Sequence, residues 1–148
     1  MLKVLIAEDD LMIADMSEDV LVERGYEVCG IGRTVDHAVT LGQRHLPDLA
    51  IIDMRLADGG LGSEVAARLA GLDRLGILYV TGNVSGSKLD NARGHGCLAK
   101  PYRFADLVRG LEIVAELVET GQASPPFPAG FRVLPRATGS PSEAADAR

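Results

Sequence analysis

Glu8, Asp9, Asp53, Thr81 and Lys100 are the residues of this chain whose types and spacing could do chemistry together. Each stands at the C-terminal end of a short apolar run. Glu8-Asp9 follows Val4-Leu5-Ile6-Ala7, Asp53 follows Leu49-Ala50-Ile51-Ile52, Thr81 follows Ile77-Leu78-Tyr79-Val80, and Lys100 follows Cys97-Leu98-Ala99. If the runs are parallel strands, those ends share one edge, and ligands of open α/β sheets bind outside that edge. Three carboxylates, a hydroxyl and an ammonium there could hold a divalent cation and a phosphoryl group. Magnesium takes oxygen ligands, commonly one or two carboxylates plus phosphate oxygens and waters. Asp9 and Asp53 suit it, with Glu8 acting directly or through a water.

The acidic pair at the first strand end differs from a Walker loop, which needs glycine-rich backbone and a lysine there. Covalent chemistry is the better fit. Asp53, the single acid ending its run, is a candidate nucleophile for an aspartyl phosphate. Phosphoryl transfer needs charge neutralised on the equatorial oxygens, and Lys100 and the Thr81 hydroxyl are placed to help. Taken singly, Asp53 reads as a helix cap, Thr81-Gly82 as a turn and Lys100-Pro101 as a solvated lysine before a loop. Their joint placement at strand ends overturns those readings.

The positioning elements follow from the apolar pattern. Runs of four or five apolar residues alternate with amphipathic stretches, a βα-repeat with a parallel sheet. Strands are expected near 3–7, 26–31, 48–52, 76–80 and 97–99, and helices near 11–24, 35–45, 62–71, 85–93 and 103–120. The last helix is clearest, with Phe104, Leu107, Val108, Leu111, Val114, Ala115 and Val118 on one face. The first carries Met12, Ile13, Met16, Val20 and Leu21, with Asp10 as N-cap and Arg24-Gly25 closing it. The fourth is polar, and Gly86, Gly94 and Gly96 lower its helix propensity, so it reads as a short, mobile helix in preference to a partial loop.

The 148 residues fit one domain with a real core. At 47% apolar and 24% charged, with no run of membrane-spanning length, the composition is that of a soluble protein. No secretory signal is read at the N-terminus, and Cys29 and Cys97 lack metal or redox spacing, so a cytoplasmic protein with two buried thiols is expected. His37, His45 and His95 show no ligand spacing. The net charge is −6, and residues 121–148, with three Arg against Glu143 and Asp146, contribute +1, leaving −7 for the first 120. An acidic domain without a basic stripe is not expected to bind nucleic acid directly.

Residues 121–148 contain five of the seven prolines and read as a tail. Phe127, Phe131, Val133 and Leu134 leave two readings open there: a disordered segment with incidental apolar residues, or a docking segment.

In a set of motifs taken in order along the chain, it resembles a response-regulator receiver domain. The match lies in Val4–Asp10, in Pro47-Asp48 through Leu56, in Tyr79-Val80-Thr81-Gly82 and in Leu98-Ala99-Lys100-Pro101-Tyr102. It covers residues 1–120. The resemblance implies a doubly wound, five-stranded parallel α/β sheet of flavodoxin-like (CheY-like) type, in the order 2-1-3-4-5. It implies that Asp53 accepts phosphate from a histidine kinase or a His phosphotransfer protein, with Thr81 as switch hydroxyl and Lys100 as phosphate-binding ammonium. Glu8, Asp9, Asp53 and the Arg55 carbonyl would hold Mg²⁺ or Mn²⁺, and Lys100-Pro101 would be cis.

Such a domain is a phosphoacceptor rather than an enzyme. The expected output is contact with an effector protein through the fourth helix, fifth strand and fifth helix, with no output domain after residue 120, no membrane contact and a homodimer left open. A phosphate sink or shuttle remains an alternative. An aspartyl-phosphate hydrolase of the haloacid-dehalogenase type is disfavoured, since Arg55 stands where a second acid would be needed. One residue departs from the family: Cys97 occupies the place of the usual Tyr or Phe three residues before the lysine, so an aromatic rotamer switch is not expected there.

Overall fold

A computed structural model describes residues 1–82 and 92–135. Strands β1 (Lys3–Ala7), β2 (Glu27–Gly32), β3 (Leu49–Asp53), β4 (Gly76–Thr81), β5 (Gly96–Ala99) and β6 (Phe131–Val133) alternate with helices α1 (Leu11–Glu23), α2 (Val35–His45), α3 (Gly62–Arg68) and α4 (Phe104–Thr120). Helix α4 is the fifth helix expected from sequence. The helix expected near 85–93 lies outside the described residues.

The sheet runs β2-β1-β3-β4-β5-β6. The first five strands are parallel, as expected, and β6 is antiparallel to β5. The sheet is therefore six-stranded rather than five-stranded. The sixth strand comes from the Pro-rich segment, whose three paired residues are too few to show a period of two in sequence.

Side chains of successive strand residues point to opposite faces, and two cores follow from that parity. Leu5, Ala7, Ala50, Ile52, Ile77, Tyr79 and Cys97 pack with residues of α2 and α3. Val4, Ile6, Leu49, Ile51, Leu78, Val80 and Leu98 pack with Ala14 and Leu21 of α1 and with the apolar face of α4. In α4 the buried set, which includes Leu107, Val108, Leu111 and Val114, follows the helical period, and the helix stops at Gly121 with φ +80°.

Helix α1 departs from its expected face. Asp10 does cap it, accepting from the Met12 and Ile13 amides at 3.1 and 3.3 Å. Yet Met12 is 72% exposed and Met16 45%, while Ala14, Ser17 and Leu21 are buried. Apolar residues lie nearly all round this helix, so the period alone does not choose a face. Small residues let it approach the sheet closely, and the methionines turn outwards.

Segment 121–135 folds back on the domain. Leu134 is 5% exposed and joins the core that holds Tyr79 and Cys97, while Phe131 packs against the opposite core. Burying a leucine is worth roughly 2 kcal/mol. Truncation after Gly121 should therefore lower the melting temperature by about 4 °C or more. An unchanged melt would show that this packing carries no stability.

Candidate functional site

Because the five strands are parallel, their C-terminal ends meet at one edge. Strand order reverses between β1 and β3, and the crevice of such a sheet opens at that reversal. Glu8 and Asp9 leave β1 there and Asp53 ends β3 beside them. Thr81 ends β4, and Lys100 follows β5. A cleft of about 570 Å³ is lined by Glu8, Asp9, Asp10, Ile13, Asp53, Met54, Arg55, Thr81, Gly82 and Lys100. The structure thus brings together every side chain singled out in the sequence.

Local hydrogen bonds set the geometry. Asp53 is 5% exposed, and both carboxylate oxygens are engaged. Oδ1 accepts the Arg55 amide at 3.0 Å and Oδ2 accepts Lys100 Nζ at 2.7 Å. Glu8 Oε2 accepts the Asp10 amide at 3.1 Å, and the Glu8 amide donates to the Gly32 carbonyl at 2.9 Å. Lys100 is anchored through its own amide, which donates to the Thr81 carbonyl at 2.8 Å, and the Lys100-Pro101 peptide is cis. Thr81 is buried at 6% exposure.

Gly62 and Arg33 were not anticipated. The Gly62 amide donates to the Met54 carbonyl at 2.8 Å, and an added Cβ would lie 2.3 Å from the Asp53 carbonyl oxygen. No side chain fits where α3 starts against the end of β3. Arg33 directly follows β2, so the strand-end rule that located the other residues also reaches it. Its Nε donates to the Asp9 carbonyl at 3.2 Å.

Electrostatics at the edge are dominated by negative charge. Burial raises the Glu8 carboxyl to about 7, against the lowering effect of the Asp10 amide, and the negative charge of Asp53 adds to the rise. For Lys100, burial acts against the ammonium, but the hydrogen bond to Asp53 and the charges of Asp53, Glu8 and Asp9 outweigh it and raise its pKa. Tyr102 stands close by, its hydroxyl raised to about 12 by burial first and then by Glu8 and Asp53. Its ring meets Phe104 edge-on at 6.0 Å. Cys97 is buried opposite Tyr79 on β4, and burial pushes its thiol up.

The donor set suits a hard cation. Glu8, Asp9 and Asp53 each offer a carboxylate oxygen, all within 4.8 Å of one another. Among the described residues, the polar side chains lining the cleft offer oxygen and nitrogen atoms from Glu8, Asp9, Asp10, Asp53, Arg55, Thr81 and Lys100.

Comparison with known proteins agrees with this geometry. The family model described as response regulator receiver domain matches residues 4–117. This chain belongs to that family. Receiver domains are the phosphoacceptor regulators of two-component signalling. Over 114 residues the chain is 32% identical to the transcriptional regulatory protein PdtaR of Mycobacterium tuberculosis, covering 75% of this chain and 55% of that protein. It thus spans about half the length of the curated relatives it matches.

Among solved structures, the signal receiver domain of a modulated diguanylate cyclase from Desulfovibrio desulfuricans aligns with TM-score 0.68 and 30% identity. The alignment covers 82% of this chain and 99% of that one. The anti-anti-sigma factor PhyR of Bartonella quintana aligns with TM-score 0.68 and 27% identity, over 82% of this chain and 50% of that one. Among the described residues of this receiver domain, no helix is long and apolar enough to cross a membrane.

Two outcomes test the site's physics. Lys100→Met leaves the buried Asp53 without its counter-charge and should cost about 1–2 kcal/mol in chelator. Magnesium should then raise the melting temperature of the variant more than that of wild type. Identical shifts would refute the shared-charge account. Gly62→Ala should lower stability by about 1–3 kcal/mol through overpacking on the Asp53 backbone, read by denaturant melts; a neutral effect would show that α3 yields freely.

Proposed function

We propose that this receiver domain is a Mg²⁺- or Mn²⁺-dependent phosphoacceptor in which Asp53 takes a phosphoryl group from a histidine kinase or a His phosphotransfer protein. The buried Asp53 carboxylate at the centre of the cleft, hydrogen-bonded to Lys100, is the observation that carries the reading. An Asp53 oxygen attacks phosphorus as the bond from phosphorus to the donor's imidazole nitrogen breaks, and the electron pair of that bond stays with the nitrogen. The Arg55 amide fixes the nucleophilic carboxylate. Lys100 moves from carboxylate to phosphoryl oxygen, keeping one counter-charge in the site throughout. The Thr81 hydroxyl donates to another phosphoryl oxygen.

Glu8, Asp9, Asp53 and the Arg55 carbonyl are assigned as ligands of the divalent cation, which supplies charge neutralisation for the transferring group. The raised affinity of Glu8 for a proton comes first from its burial and then from the Asp53 charge beside it, and a bound cation would offset both. Residues 1–120 form the receiver and 121–148 an appended segment. The signal leaves by a change in affinity for an effector protein, as a population shift biased by the new charge. With Cys97 in place of a ring, the Thr81 hydroxyl and β5 carry the switch without an aromatic rotamer change at that position. A phosphate sink shares every residue of this chemistry and differs only in lacking a reader.

Incubation with Mg²⁺ and a small acyl-phosphate donor should add one phosphoryl group to the wild-type chain by intact mass. Asp53→Ala should gain none, and chelator should abolish the adduct. Equal adducts on wild type and Asp53→Ala, or none on either, would remove Asp53 as the acceptor.

A further inference from the structure

Residues 122–135 lie beyond the family match at 4–117, yet three kinds of contact hold them on one surface. A polar clamp comes from α4. Arg109 donates to the Pro126 carbonyl at 2.9 Å and to the Ser124 carbonyl at 2.6 Å, and Glu116 accepts the Ser124 amide at 3.0 Å. A short ladder pairs Gly96 with Val133, Cys97 with Arg132 and Leu98 with Phe131. The Ala99 amide donates to the Gly130 carbonyl, and the Leu134 amide to the His95 carbonyl, both at 3.0 Å.

The third contact is a slot for a ring. An added Cβ on Gly96 of β5 would fall 2.8 Å from the Phe131 ring, and one on Gly110 of α4 would fall 3.5 Å from it. Two residues without side chains, on two different elements, open the space that Phe131 fills. Phe127 stacks on the same ring at 6.3 Å. The receiver surface, and not only the segment, is therefore shaped for an extended strand carrying an aromatic residue. Without the segment, β5 would present unpaired amides and carbonyls at an open edge, a ready template for strand addition.

We propose that this surface, the β5 edge with its Gly96–Gly110 slot, is a peptide-accepting site in which residues 122–135 act as a tethered ligand. The effector supplies an extended, aromatic-bearing strand that replaces them. The inference rests on the reading that the domain signals through a protein partner at this face. Tethering gives the segment an effective concentration in the millimolar range, so an incoming strand must outcompete it. The bond from Ala99 to Gly130 lies one residue before Lys100, which places the exchange next to the lysine that serves Asp53.

The test uses the full chain and a fluorescent peptide of residues 122–135 added in trans, read by anisotropy. Phe131→Ser should empty the slot, so the variant should bind the peptide about tenfold or more tightly than wild type does. A peptide carrying the same Phe131→Ser change should lose that binding. Hydrogen exchange of the Ala99 amide should speed up in the variant and slow again with peptide.

If Phe131→Ser does not fold, Phe127→Ser, which removes from the segment the ring stacked on Phe131 and leaves the receiver surface intact, should show a gain in peptide affinity in the same direction. Equal affinities for wild type and a folded variant, or no binding to either, would overturn the proposal. The acceptor reading is separated by the intact mass of the Phe131→Ser chain, which keeps Asp53, after incubation with Mg²⁺ and the small acyl-phosphate donor. Peptide binding without Asp53 phosphorylation would leave this site standing and remove the acceptor, and phosphorylation without peptide binding would do the reverse.

Discussion

Crowding of carboxylates at one sheet edge is the constraint on which this structure depends. Asp53 and Glu8 are almost wholly buried, and Asp9 lies within reach of both. Charges taken out of water are costly unless paired, and like charges at this range repel. The ammonium of Lys100, 2.7 Å from Asp53, offsets part of that cost. Glu8 shows the remainder, its carboxyl pushed to about 7. A site held in this state favours positive charge over further negative charge.

The rest of the fold keeps that cluster from relaxing. Two hydrophobic cores clamp the central strands from both faces, so the ends of β1 and β3 cannot splay apart. The turn after Asp53 is closed by the Gly62 amide on the Met54 carbonyl, with no room for a side chain at Gly62. Lys100 is tied through its backbone to Thr81. Each constraint acts on backbone close to a functional side chain, so positions are held by covalent neighbours rather than by flexible side-chain contacts.

The far edge of the sheet poses a different problem. A five-stranded sheet would end at β5 with an open row of backbone groups. Residues 131–133 cover it, and Leu134 and Phe131 insert into the two cores on either side of the strand. The place where a ring was expected on β5 is held by Cys97, in the core that Leu134 also enters. Apolar volume that the strand itself lacks is brought there from the end of the chain.

The sequence by itself determined the parallel α/β order and which polar residues stand at the strand ends. Those signals are local: apolar runs of the right length, each closed by a polar residue. The Asp10 cap and the α4 stripe were legible for the same reason. Tertiary structure decided what local pattern does not encode. Met12 and Met16 face outwards because α1 is apolar nearly all round, and only packing against the sheet selects its buried side. Gly62 matters because α3 starts against the Asp53 carbonyl. The sixth strand exists because a three-residue segment meets an edge some 35 positions earlier, a pairing visible only once β5 is in place. Residue types at strand ends announce chemistry early, whereas contacts between distant backbones come into being with the fold.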